Sequence, residues 1–158
     1  MSNLRMSLAR TIHKENAMRT EKYQSRIVKK PFEYVAQSHL GRHYISNGEV
    51  AICIPSDECF VDVGKLKQRS ADFAQLFERN EIGLELEPTG EGYITDDTVL
   101  AQLAGGKTVR WVKQKNLKPF LKDSFMLLDG KGCVQVYEVS SKSVVAIIVK
   151  VNIESYKR

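Results

Sequence analysis

Six basic side chains, Lys107, Arg110, Lys113, Lys115, Lys118 and Lys122, come before the next acid, Asp123, and Trp111 lies among them. Cations spaced this way can neutralise successive phosphates, and an indole beside them can stack on a base. The same run can equally be a wet surface balanced by Glu81, Glu85, Glu87, Glu91, Asp96 and Asp97. A second basic group opens the chain: Arg5, Arg10, Lys14, Arg19, Lys22, Arg26, Lys29 and Lys30, against Glu15 and Glu21. Residues 1–30 therefore carry a net +6, and the remainder, with sixteen bases and seventeen acids, carries −1 of the total +5. The whole positive excess sits at one end. Such an end attracts a polyanion or an acidic protein surface in a salt-dependent way.

Other reactive side chains are less well arranged. His39, His43, Cys53 and Cys59 have the types a tetrahedral zinc site needs. However, a C-x5-C spacing is not that of a zinc knuckle, and Cys53 falls in an apolar alternation where a thiol acts as a small hydrophobe. No metal is expected. Asp96 and Asp97, with Glu85, Glu87 and Glu91, are the carboxylates a magnesium nuclease would use, but neighbours on a strand point to opposite faces. Gly105-Gly106-Lys107-Thr108 resembles the end of a phosphate-binding loop, yet Ala101 stands where the earlier glycine is needed. No Ser/His/Asp or Cys/His arrangement stands out, so neither a catalytic residue nor a cofactor is expected.

The chain of 158 residues has the size of one domain, with 42% apolar and 27% charged residues. Three cysteines do not make a disulfide framework, and no apolar run is long enough to span a bilayer. The first residues lack the apolar stretch of a signal peptide, so a cytoplasmic protein is expected. Residues 1–30 form a basic arm, too polar to join a core, and residues 31–158 form the globular domain. Leu4, Leu8 and Ile12 give the arm a thin apolar stripe, so a marginal helix is expected over 3–24.

The body reads as α+β: a mainly antiparallel sheet with two short-to-medium helices. Asn47-Gly48 between His43–Ser46 and Glu49–Ile54 predicts a hairpin with a type I′ turn, burying Val50, Ile52 and Ile54. A helix is expected over about Lys65–Arg79, with Asp62 near its cap and an apolar stripe of Leu66, Phe73, Leu76 and Phe77. Leu84–Glu87 alternates as a strand, and Glu91-Gly92 reads as a turn. Val99–Leu103 is ambiguous between strand and helix, and Gly105-Gly106 is a turn. Lys107–Val112 is a strand, Asn116–Leu121 a short helix with Pro119 in its first turn. Strands follow at Phe125–Leu128, Cys133–Val139 and Val144–Ile153, the last burying Val145, Ile147, Val149 and Val151 together.

From Thr108 onward this order of elements resembles the closing segment of a DNA sliding-clamp (processivity-factor) domain. The matching pieces are Val109-Arg110-Trp111-Val112, the helix at Lys115-Asn116-Leu117-Lys118-Pro119-Phe120, Phe125–Leu128, Cys133–Tyr137 and Val145–Val151. The resemblance implies that two helices face nucleic acid. They would present Lys65, Lys67 and Arg69 from the first, and Lys113, Lys115, Lys118 and Lys122 from the second. The chain has room for one such domain, whereas clamps encircle DNA with several, and the basic arm lies outside the pattern.

The expected function is that of a non-enzymatic accessory protein. It would bind nucleic acid or a nucleoprotein complex through the arm and a lysine-rich surface formed by Lys67, Arg69, Lys113, Lys115, Lys118 and Lys122. The alternative is a protein–protein interaction module or inhibitor whose arm docks on an acidic partner. No membrane partner is expected, and self-association is left open.

Overall fold

The structure, a computed structural model, describes residues 21–69, 73–78 and 83–157. They form a single sheet-rich domain with two short helices. The helix expected over 3–24, with Leu4, Leu8 and Ile12, lies mostly outside these residues. The first described element is helix α1, over residues 21–29.

Among the described residues ten strands make one sheet: β1 (Val35–His39), β2 (Arg42–Ser46), β3 (Val50–Pro55), β4 (Lys67–Gln68), β5 (Glu85–Ile94), β6 (Val99–Gly105), β7 (Thr108–Lys113), β8 (Phe125–Asp129), β9 (Cys133–Glu138) and β10 (Ser143–Val149). The order is β4-β1-β2-β3-β10-β9-β8-β5-β6-β7. Every pairing is antiparallel except β1 with β4. Helix α2 (Gln114–Leu117) runs into a 3-10 turn at Lys118–Phe120, with Pro119 in that turn's first positions, where its missing N–H costs nothing. Among the described residues no helix is long and apolar enough to cross a membrane.

The sheet curls on itself. Long strand β5 makes the corner, because Glu85 and Leu86 pair with β8 while Glu87, Pro88 and, past a bulge, Gly92 to Ile94 pair with β6. Gly105 lets these strands close up, since a Cβ there would run into the carbonyl of Glu85. The curl carries β7 round until Val151, just past β10, donates its N–H to the Trp111 carbonyl at 2.8 Å. One cluster fills the concave side, with Ile52 and Ile54 from β3, Leu86, Leu103, Val112, Val134, Val136, Ala146 and Ile148. A second, smaller cluster on the other face joins Tyr44, Cys53, Phe73, Phe77, Tyr137 and Ile147. Strands near the centre are thus buried on both faces, as the unbroken burial of β9 shows.

Several expectations are corrected. No helix spans Lys65–Arg79: a 3-10 turn at Val63–Lys65 gives way to β4, and another follows at Ala74–Phe77. The expected stripe is divided between faces, with Leu66 in the concave core, Phe73 and Phe77 behind the sheet, and Leu76 41% exposed. Asp62 does cap, accepting from the Gly64 N–H at 3.2 Å, but it caps the short turn. Asn47 does not take a left-handed conformation, so the turn is not type I′. Its side-chain oxygen instead accepts from the N–H groups of Glu49 and Val50 at 3.0 and 2.9 Å, with Gly48 alone at positive φ. Glu91-Gly92 is not a turn but part of β5, beside a bulge between Pro88 and Gly92. In β10 a bulge between Val144 and Ala146 resets the parity. Ala146 and Ile148 therefore face the concave core, Ile147 faces the other side, Val149 is 42% exposed, and the strand ends before Val151.

Candidate nucleic-acid interface

Helix α1 is held by three side chains at helical spacing: Tyr23, Gln24 and Ile27. Ile27 belongs to the concave core. Gln24 is fully buried; its amide N–H donates to the Glu58 carbonyl at 3.0 Å and its oxygen accepts from the Phe60 N–H at 2.7 Å. Tyr23 stacks on Phe120 with centroids 5.8 Å apart and rings 10° from parallel. Residues 21–29 are therefore joined to the core, contrary to the expectation that the first thirty residues are too polar for it. The inward face leaves Lys22, Arg26 and Lys29 on the solvent side of α1, with Lys30 just beyond its end.

The Tyr23–Phe120 stack sets α1 beside the segment 114–122. There Leu117 and Phe120 point inward and Lys115, Lys118 and Lys122 outward. Two basic segments far apart in sequence thus become neighbours. Between them is a small cavity of about 60 Å³, whose walls include Tyr23, Arg26, Tyr34, Asn47, Lys115 and Asn116. The Arg26 guanidinium lies 5.7 Å from the Tyr23 ring centroid. Burial, opposed by the charge of Arg26, pushes the Tyr23 phenol up to about 12. Across 21–33, 113–123 and Glu49 there are eight basic side chains and four acids, so the surface is net positive.

Not all of those cations are free. The Glu49 carboxylate accepts from Lys113 at 3.0 Å and from Asn116 at 3.1 Å, with Lys115 at 3.7 Å. Burial acts to raise the Glu49 pKa, but these donors outweigh it and hold the carboxyl below its ordinary range. The hydrogen bond to Glu49 in turn raises the Lys113 ammonium. Asp129 plays the same part for Arg110 at 3.1 Å and Lys150 at 2.6 Å, and its pKa is also lowered against the pull of burial. The basic run is thus balanced partly by Glu49 and Asp129, which sequence proximity does not reveal. Lys118 and Lys122 are exposed to solvent.

The remaining predicted residues are scattered. Lys67 and Arg69 lie on and just after β4, at the other end of the strand order from β7 and not on a helix. The Arg69 guanidinium sits 5.5 Å from the Phe73 ring. Arg5, Arg10, Lys14 and Arg19 lie outside the described residues. Trp111 is half-buried on β7, and Val112 is the residue of that strand that enters the core.

Cys53 is a core residue, and burial raises its thiol pKa against the pull of Arg42. The His43 ring is hydrogen-bonded to the hydroxyls of Ser38 (2.6 Å) and Ser56 (3.3 Å). Asp96 and Asp97 lie in the turn between β5 and β6, not on a strand, and Gly106-Lys107 form the turn joining β6 to β7. Among the described residues no three His, Cys, Asp or Glu side chains converge as a metal site would require.

Sequence reasoning missed the inward face of α1, because its central residue, Gln24, is polar. It also missed Glu49 and Asp129 as partners, since Glu49 is 64 positions from Lys113. No family model, curated protein or solved structure matches the chain.

Proposed function

We propose that this protein is a non-enzymatic accessory factor that binds nucleic acid, alone or within a nucleoprotein complex. The contact surface is the face where α1 meets the segment 114–122, continued by the basic residues that precede α1. The observation that carries this reading is the stacking of Tyr23 on Phe120, which sets α1, with Lys22, Arg26 and Lys29 exposed, against the segment that carries Lys115, Lys118 and Lys122, so that Arg26 and Lys115 line one cavity. Phosphate contacts of this kind position a protein on a backbone without reading sequence. The order of elements over 108–153 keeps the sliding-clamp resemblance within the proposal, with α2 and its following turn as the helix facing nucleic acid. The other helix of that pattern, expected over about Lys65–Arg79, is not formed.

The test is a binding titration with fluorescently labelled duplex DNA and duplex RNA at low salt. Lys118→Glu with Lys122→Glu, and Lys22→Glu with Arg26→Glu, should each weaken binding by at least tenfold. Lys67→Glu should change it little. Equal effects of Lys67→Glu and the paired reversals would reduce the interface to general charge. No binding by the wild type would favour the alternative, a protein partner.

A further inference from the structure

The small cavity where α1 meets the segment 114–122 is apolar inside and polar at its mouth. Ile27, Ile45 and Ile52 are its buried walls, and Arg26, Asn47 and Lys115 its exposed ones. Among the described residues no acid lines it. Two of its polar groups have no partner there. The Tyr23 hydroxyl is buried with no hydrogen bond among the described residues. Arg26 forms no ion pair among them, and its guanidinium faces only the Tyr23 ring. The charge of Arg26 and the phenol of Tyr34 both bear on the Tyr23 hydroxyl, and Arg26 bears on that of Tyr34. These three polar ends therefore gather around the same space.

The remaining walls add donors of lesser weight. Asn47 has its side-chain oxygen occupied by the N–H groups of Glu49 and Val50, so its amide N–H groups are what it offers. Lys115 and Asn116 are shared with Glu49, at 3.7 and 3.1 Å, and close the mouth without being the main donors. A guanidinium with no carboxylate and phenolic hydroxyls beside it select an anion. Size narrows the choice. An apolar cavity of about 150 Å³ holds one benzene ring. At about 60 Å³ this one is too small for a nucleobase but takes one tetrahedral oxyanion. The isoleucines behind it exclude water, which strengthens each charge-assisted bond made there.

We propose that this cavity is a seat for a single phosphate group, held by the Arg26 guanidinium and the hydroxyls of Tyr23 and Tyr34. The inference rests on the nucleic-acid reading for the source of the phosphate and deepens it. One phosphate is captured at a fixed place, while Lys118 and Lys122 neutralise others at the surface. The group is either a phosphodiester within the strand or a monoester at its end.

Inorganic phosphate added to the full chain, against chloride at equal ionic strength, reads the seat without nucleic acid. The amide signals of Ile27, Tyr34 and Asn47 should shift saturably with phosphate alone. Arg26→Gln should weaken this binding about tenfold. Tyr23→Phe should weaken it severalfold without lowering the melting temperature. Lys118→Glu with Lys122→Glu should leave it unchanged. No saturable shift, or the same affinity in Arg26→Gln, would overturn the proposal even if duplex DNA still binds. Phosphate binding by a chain that binds no nucleic acid at low salt would keep the seat and remove the nucleic-acid reading. A 5′-phosphorylated oligonucleotide and its 5′-hydroxyl counterpart separate the two sources. Tighter binding of the phosphorylated strand assigns the seat to a strand end. Equal binding, weakened alike by Arg26→Gln, assigns it to a backbone phosphate.

Discussion

Asp129 joins Arg110 on β7 to Lys150 beyond β10, so one carboxylate ties together two segments that meet only because the sheet curls. Burial acts to raise its pKa, but Lys150 and Arg110 outweigh it and hold the carboxyl below the ordinary aspartate range in the folded protein. A depressed carboxyl contributes stability that is present above the unfolded pKa and lost as pH falls through the folded value. Glu49 behaves alike. The melting temperature should therefore fall on acidification below about pH 4, and Asp129→Asn should reduce that fall. At neutral pH Asp129→Asn should cost about 1–2 kcal/mol, between the values for exposed and buried pairs, in a urea titration. Tyr23 predicts the opposite kind of result. Its hydroxyl is buried and has no hydrogen-bond partner among the described residues. Tyr23→Phe keeps the stack on Phe120 and removes an unsatisfied group, so stability should stay level or rise. A melting temperature several degrees lower would mean that the hydroxyl has a partner. Neither carboxylate role was legible in the sequence, because a long-range ion pair leaves no local pattern. The exposed lysines at 118 and 122 were legible, since charge and helical spacing suffice to place them outward.

At the scale of elements, alternation and turn chemistry located most strands, including β2, β3, β8 and β9. What they could not supply was parity across a bulge. The run from Val144 onward is apolar on both sides, so its pattern is equally consistent with either register. The bulge decides it, and a pair of substitutions checks it. Ile148→Asp should unfold the domain, because Ile148 is fully buried and an unpaired carboxylate there costs several kcal/mol. Val149→Asp, at a half-open position, should melt close to the wild type. The simple alternating register predicts the reverse order. The missing helix at 65–79 has a similar explanation. Its apolar residues fit a helical spacing, yet Leu66 is needed on one face of the sheet and Phe73 on the other. Tertiary burial overrode local periodicity there. α1 shows the converse, a helix whose buried face contains a glutamine and so carries little hydrophobic signal.

For the whole molecule, the domain limits read from charge alone were drawn too late. Charge marks where the basic residues are, but packing marks where the domain starts, and α1 is both basic and packed. This places part of the basic group on a packed helix set against the segment that carries Lys115, Lys118 and Lys122, which is the central claim. The most direct measurement is the salt dependence of duplex DNA binding for three proteins: the intact chain, the Lys118→Glu/Lys122→Glu variant and a chain lacking residues 2–20. If about six phosphates are engaged, log K should fall against log salt with a slope of about −5 for the intact chain. Both altered proteins should show a flatter slope while melting like the wild type. A slope that stays the same when Lys118 and Lys122 are reversed, or no binding by the intact chain at low salt, would contradict the account.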